Sequence, residues 1–204
     1  MCNQKLAKEF FRLGEQYAET AKLLLDTLIN NGNSNAGIGI TFEEAYQKME
    51  RNASKSDMYL FIPAIFNCLQ STELIIKGLL LLVGENFERN HGVEKLLDVL
   101  KGSYKKDSDV FVTLKSFYDI QIDIIQKYKQ ANGLTNTYDL YMSLRYPEIT
   151  LRLQENEMKG QKIIINYSDL IGNGIIGIEQ FKLLLDNMEA VKCAAVREYN
   201  SKCS

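Results

Sequence analysis

One apolar stretch, Met58 to Val83 (MYLFIPAIFNCLQSTELIIKGLLLLV), constrains the fold of this chain more than any other segment. After Pro63 only Asn67, Gln70, Ser71, Thr72, Glu73 and Lys77 interrupt it. A helix over this span is apolar on nearly every side, and such a helix has to be surrounded by other elements. The stretch is long enough to span a bilayer, which takes about 20 apolar residues. A mid-helix acid and lysine would nevertheless each cost roughly 2.5 to 3.5 kcal/mol on insertion. The chain has no second apolar run of that length, and no apolar signal core follows Met1 to Lys5. The expectation is the central helix of a bundle in a soluble, cytoplasmic protein with no membrane partner.

Within that helix Glu73 and Lys77 stand four apart with the acid first, the better order for a helical ion pair, and Gln70 falls on the same line. Such a stripe reads either as a functional edge or as a satisfied internal pair. Pro63 lacks an amide hydrogen, so a kink or restart is expected there.

The remaining segments supply the surrounding helices. From Gln4 to Ile29 the residues Leu6, Phe10, Leu13, Tyr17, Ala21, Leu24 and Leu28 recur at three- and four-residue steps, a long amphipathic helix stopped by Asn30 to Asn35. Thr41 opens a shorter helix, with Glu44 as its reciprocal cap. Gly84 can end the central helix, and His91 leads a short leucine-faced helix through Leu100. Asp109 to Ala131 places Phe111, Leu114, Tyr118, Ile122, Ile125 and Tyr128 on one side, before a left-handed stop at Asn132-Gly133. A tyrosine-rich turn or two, Thr137 to Leu144, ends at Arg145-Tyr146-Pro147, because the residue before proline is pushed out of helical geometry. Ile149, Leu151 and Leu153, then Ile163, Ile165 and Tyr167, alternate as in a small β-hairpin. A closing helix covers about Ile175 to Asn200. The fold class is mainly α: an up-and-down bundle of about five main helices with a hairpin inserted at about 149–167, in one domain over 1–204.

Composition narrows the chemistry. A net charge of −2 gives no general field for nucleic acid or anionic lipid, although local patches remain open. The four cysteines lack metal-ligand spacing and suit a reducing compartment. His91 is the only histidine, so a multi-histidine metal site is excluded, and any triad has to use it. Its alternative role is structural, capping a helix end or closing over the central helix. Gly172-Asn173-Gly174-Ile175-Ile176-Gly177 spells G-x-G-x-x-G, but no second strand follows to make a dinucleotide-binding unit. The tyrosines offer faces for a base or simply fill space between helices. No cofactor is expected.

Three features in order, Glu73-x-x-x-Lys77 in an apolar helix, His91 before a leucine-rich helix, and Arg145-Tyr146-Pro147, resemble the HEPN superfamily of bacterial and archaeal helical domains. The resemblance implies an up-and-down helical bundle, commonly a homodimer, that binds nucleotide or RNA or accompanies a nucleotidyltransferase. It also implies a toxin–antitoxin or phage-defence setting, with an antitoxin as a further partner. Many members are metal-independent ribonucleases through an R-x(4–6)-H motif near their last helix. Here Arg145, Arg152 and Arg197 have no histidine after them, so the expectation is a noncatalytic binder. Arg145 is the expected phosphate contact and Tyr146 the stacking group, with Glu73, Lys77 and His91 orienting the pocket or stabilising the bundle. The alternatives are a partner-binding bundle and an atypical ribonuclease.

Overall fold

Six helices and one two-stranded sheet make up the architecture in a computed structural model, which describes residues 3–30, 57–87, 92–105, 108–134, 137–146, 148–150, 162–165 and 178–203. They are α1 (Gln4–Asn30), α2 (Asp57–Leu82), α3 (Val93–Ser103), α4 (Asp109–Ala131), α5 (Thr137–Ser143), β1 (Glu148–Thr150), β2 (Lys162–Ile164) and α6 (Ile178–Cys203). The helix expected from Thr41, the G-x-G-x-x-G segment, Leu151, Leu153 and Tyr167 lie outside the described residues.

The apolar stretch is the centre of the bundle. α2 packs against α1, α3, α4 and α6. Of its most apolar window, 67% is buried inside the fold. That window is long and apolar enough to cross a membrane by composition alone, but here it meets other helices. Of the kink or restart expected at Pro63, the restart does not occur. α2 runs continuously through it, giving up the one backbone bond that its missing amide would have made, with the ring on an exposed face.

Residue pairings fix the helix directions. Gly14 meets Ser71 and Ile75 while Phe11 meets Gly78, so α1 and α2 are antiparallel. Gln4 donates to the Lys202 carbonyl and Phe11 packs edge-on against Tyr199, so α1 and α6 are antiparallel as well. Asp109 pairs with Arg197 and Ser116 donates to Asn187, which sets α4 against α6 in the same sense. Four long helices, α1, α2, α4 and α6, therefore run alternately up and down. α3 packs along α2 and α4. The turns that reverse the chain are closed by glycine. Gly84 (φ 78°) and Gly133 (φ 63°) are both left-handed, and each is followed by a residue that donates back into the last helical turn, Glu85 to the Leu80 carbonyl at 3.0 Å and Leu134 to Lys129 at 2.8 Å.

α1 corrects one sequence expectation. Its buried face is Ala7, Gly14, Ala18, Ala21, Leu25 and Leu28, whereas Leu6 and Leu13 remain 43% and 44% exposed. The small residues win because they let two backbones approach. A methyl group at Gly14 would lie 3.0 Å from Ile75 Cγ1, and one at Gly78 would lie 2.9 Å from the Phe11 ring. Periodicity gives a face, but bulk decides which face can sit against a neighbour. α3 also runs farther than expected, through Gly102 to Ser103.

The hairpin is present. β1 and β2 are antiparallel, with Ile149 opposite Ile163. Ile149 and Ile165 are buried, while Ile164 is 80% exposed, the alternation of a half-covered ribbon. β1 follows α5 directly and packs against it.

Gly14→Val is expected to overpack the α1–α2 crossing and lower stability by about 1–3 kcal/mol in urea denaturation. Gly102→Ala, where nothing lies within 4 Å of the added methyl group, is expected to raise stability by about 0.5–1 kcal/mol through helix propensity.

Candidate functional site

The polar stripe of α2 is real and longer than its charges. Phe66, Gln70, Glu73 and Lys77 recur at four-, three- and four-residue steps, which puts them on one line of the helix. Lys77 Nζ donates to Glu73 Oε1 at 2.5 Å, with the two side chains only 10% and 18% exposed. The same ammonium sits 5.5 Å from the centroid of the Phe87 ring. Phe87 reaches that position because the left-handed Gly84 turns the chain back at the end of α2. The lysine is thus held between a carboxylate and an aromatic face, and the pair carries no net charge.

Arg145 occupies the other end of the stripe. α5 finishes in a tight turn in which the Arg145 and Tyr146 amides both donate to the Met142 carbonyl, at 3.0 and 2.9 Å, and Ser143 Oγ donates to Leu140 at 2.7 Å. The turn projects the arginine onto α2. Its guanidinium carbon lies 4.9 Å from the centroid of the Phe66 ring, the spacing of a cation–π contact. Arg145 is exposed, and Tyr146 is 50% exposed. No hydrogen bond or ion pair ties down the guanidinium among the described residues.

The structure brings Arg145 to the central helix but not to the ion pair. Phe66 and Glu73 are seven residues apart, or about 10 Å along the helix axis. Glu73 and Lys77 form one unit, Arg145 and Tyr146 another. His91 lies outside the described residues; Gly92 beside it starts α3 without any side-chain cap. Phe66 and Phe87, which seat the two cations, were not singled out from the sequence. Phe66 was findable, because it extends the Gln70–Glu73–Lys77 line by one step. Phe87 was not, since only the turn at Gly84 brings it back.

Deeper in the bundle, Gln121 of α4 donates to Thr72 Oγ1 at 3.0 Å, and Thr72 donates to the Cys68 carbonyl at 2.9 Å. Gln121 Oε1 and Ser71 Oγ are buried without a hydrogen-bond partner, which costs on the order of 1–3 kcal/mol for each group. Two cavities open elsewhere. One of about 370 Å³ lies between α3 and α4 beside Tyr118, whose phenol is pushed up by burial and by its hydrogen bond to Glu94. The other, of about 170 Å³, lies among α1, α2 and α6 over Phe11 and Ile75. Neither is lined by Glu73, Lys77, Arg145 or Tyr146. Among the described residues no group of three or more His, Cys, Asp or Glu side chains could hold a metal.

The sequence profile of the HEPN domain matches residues 41–167, more than half of the chain, and the protein belongs to that family. The matched segment runs from before α2 to just past β2, so α1 and α6 flank it on either side. Comparison with curated proteins and with solved structures finds no significant match.

Two outcomes check this description. Glu73→Leu strands the Lys77 ammonium and is expected to cost about 2 kcal/mol, less than the roughly 3–5 kcal/mol of a fully buried pair because both side chains keep some solvent contact. Adding Lys77→Met to it is expected to restore most of the loss, both read from denaturation midpoints. In the native protein Cys68, buried and with its thiol pushed up to about 12 by burial, is expected to resist a thiol reagent that labels the exposed Cys193. Mass spectrometry of the labelled peptides reads the difference.

Proposed function

We propose that this HEPN-family protein binds a nucleotide or an RNA phosphate at Arg145, without catalysing RNA cleavage. The observation that carries the reading is the state of that guanidinium: exposed, seated against α2, and free of any carboxylate among the described residues. A planar guanidinium presents paired donors that match phosphate oxygens. Tyr146, next in the chain and half exposed, supplies a face on which a base can stack. Lys77 contrasts with it, because its charge is already committed to Glu73. The pair and His91 take the secondary role of orienting or stabilising the bundle.

The noncatalytic part rests on the sequence. His91 is the single histidine, it precedes Arg145, Arg152 and Arg197, and Gly84, Glu85 and Asn86 stand where an arginine would have to precede it, so the R-x(4–6)-H ribonuclease motif is not formed. A cytoplasmic setting in toxin–antitoxin or phage-defence biology, as a homodimer or with a nucleotidyltransferase or antitoxin, belongs to the same proposal. A partner-binding bundle is the second reading. It draws support from Leu6 and Leu13, seven residues apart on one face of α1 and both more than 40% exposed.

Calorimetric titration with ATP and with a short single-stranded RNA separates these readings. Saturable binding is expected for at least one ligand, weakened about 10- to 100-fold by Arg145→Ala, as befits the loss of a charge-assisted bond. The RNA is expected to stay intact. Absence of saturable binding, or equal binding by Arg145→Ala, removes the proposal, and a concentration-dependent dimer broken by Leu13→Lys then favours the partner-binding bundle. RNA degraded by the wild type but not by His91→Ala revives the nuclease.

A further inference from the structure

We infer that Phe66 is the positioning residue of the phosphate site, a ring that holds the Arg145 guanidinium in the orientation in which it meets its ligand. The inference rests on the phosphate-binding reading of Arg145 and extends it to a residue that makes no ligand contact of its own.

Phe66 is anomalous for a core helix. It is half-buried and, among the described residues, stands outside the hydrophobic cluster that includes its neighbours Phe61, Ala64, Ile65, Cys68 and Leu69. A large aromatic side chain on the most apolar helix of the bundle is therefore spent outside the core. What it does there is face Arg145, with the guanidinium carbon 4.9 Å from the ring centroid. The next residues on its line, Gln70 and then Glu73, are polar, so the ring is the last apolar element before the stripe changes character.

The physical consequence follows from the shape of the two groups. Arg145 is exposed, and an exposed arginine samples many rotamers that have to be frozen when it binds a phosphate. A ring against the guanidinium favours the one orientation that keeps the cation over the negative π-face, without using any N–H donor. The donors stay available for a ligand while the group that carries them is already placed. A carboxylate in that position would place the arginine equally well but would occupy its donors and cancel its charge. Lys77 shows that alternative on the same helix.

The test is a double-mutant cycle at Phe66 and Arg145, read by titration with ATP and a short single-stranded RNA, with thermal melting of each variant. Phe66→Leu removes the ring and keeps an apolar side chain; it is expected to weaken binding about 3- to 10-fold. Phe66→Tyr, which keeps the ring, is expected to bind like the wild type. In an Arg145→Ala background, Phe66→Leu is expected to change nothing further, because the ring acts only through the arginine. A merely structural Phe66 would give the same loss in both backgrounds. Phe66→Met serves as a second ring-free variant if the leucine protein does not fold. If Arg145→Ala binds like the wild type, the phosphate reading fails and this inference with it. If Arg145→Ala weakens binding while Phe66→Leu and Phe66→Met do not, or if the two effects simply add, Arg145 stands as a ligand contact and the positioning role is overturned.

Discussion

The close approach of α1 and α2 is the constraint on which the rest of the bundle depends. Gly14 on one helix and Gly78 on the other remove the Cβ atoms that would hold the backbones apart, and Phe11 and Ile75 lie in the space they leave. Dispersion is short-ranged, so a gap of an ångström forfeits a large share of each contact. With the two helices drawn together, the leucines of α2 are left facing α3, α4 and α6 on the other sides. The bundle closes around most of that helix and leaves only a narrow, partly exposed strip along Pro63, Phe66, Gln70 and Glu73.

That central position explains how the few hydrophilic groups of α2 are handled. Thr72 satisfies its hydroxyl on its own helix and receives the Gln121 amide from α4. Glu73 and Lys77 neutralise one another at the margin of the core, with Phe87 folded over the ammonium. Desolvated charges are tolerated only in such arrangements. Arg145 obeys a different rule, because it comes from a turn at the surface and keeps its hydration. It is seated by an aromatic ring and retains its charge. Two cations thus lie along one helical line in opposite states, one internally balanced and one available.

Much of this was legible in the residues. The helices over 4–30, 109–131 and 178–203 follow from three-and-four spacing, the one over 57–82 follows from its long apolar run, and the stops at Gly84 and Gly133 follow from the freedom of glycine at positive φ. The hairpin was readable from alternation, and the HEPN family from three short motifs. The face of α1 was misjudged for a physical reason. Leucines at 6 and 13 carry more hydrophobicity than alanine and glycine at 7 and 14, yet they are too wide for the crossing. The relation of the arginine turn to the ion pair was not legible either, since their spacing in the chain says nothing of their spacing along α2.

What the amino-acid sequence determined by itself is the identity of the central helix, the punctuation of the others, and the separation of His91 from any arginine that it could have served in the family's cleavage motif. These are local or compositional properties, set by periodicity, turn chemistry and order along the chain. What only the tertiary structure decided is which groups meet: Gly14 with Ile75, Gln121 with Thr72, Phe87 with Lys77, and Arg145 with Phe66. Those contacts join residues 49 to 79 positions apart in sequence except at Phe87, which is 10 away from Lys77. Packing rather than pattern selects them, because each depends on the volumes and directions of side chains that only the folded neighbours bring together.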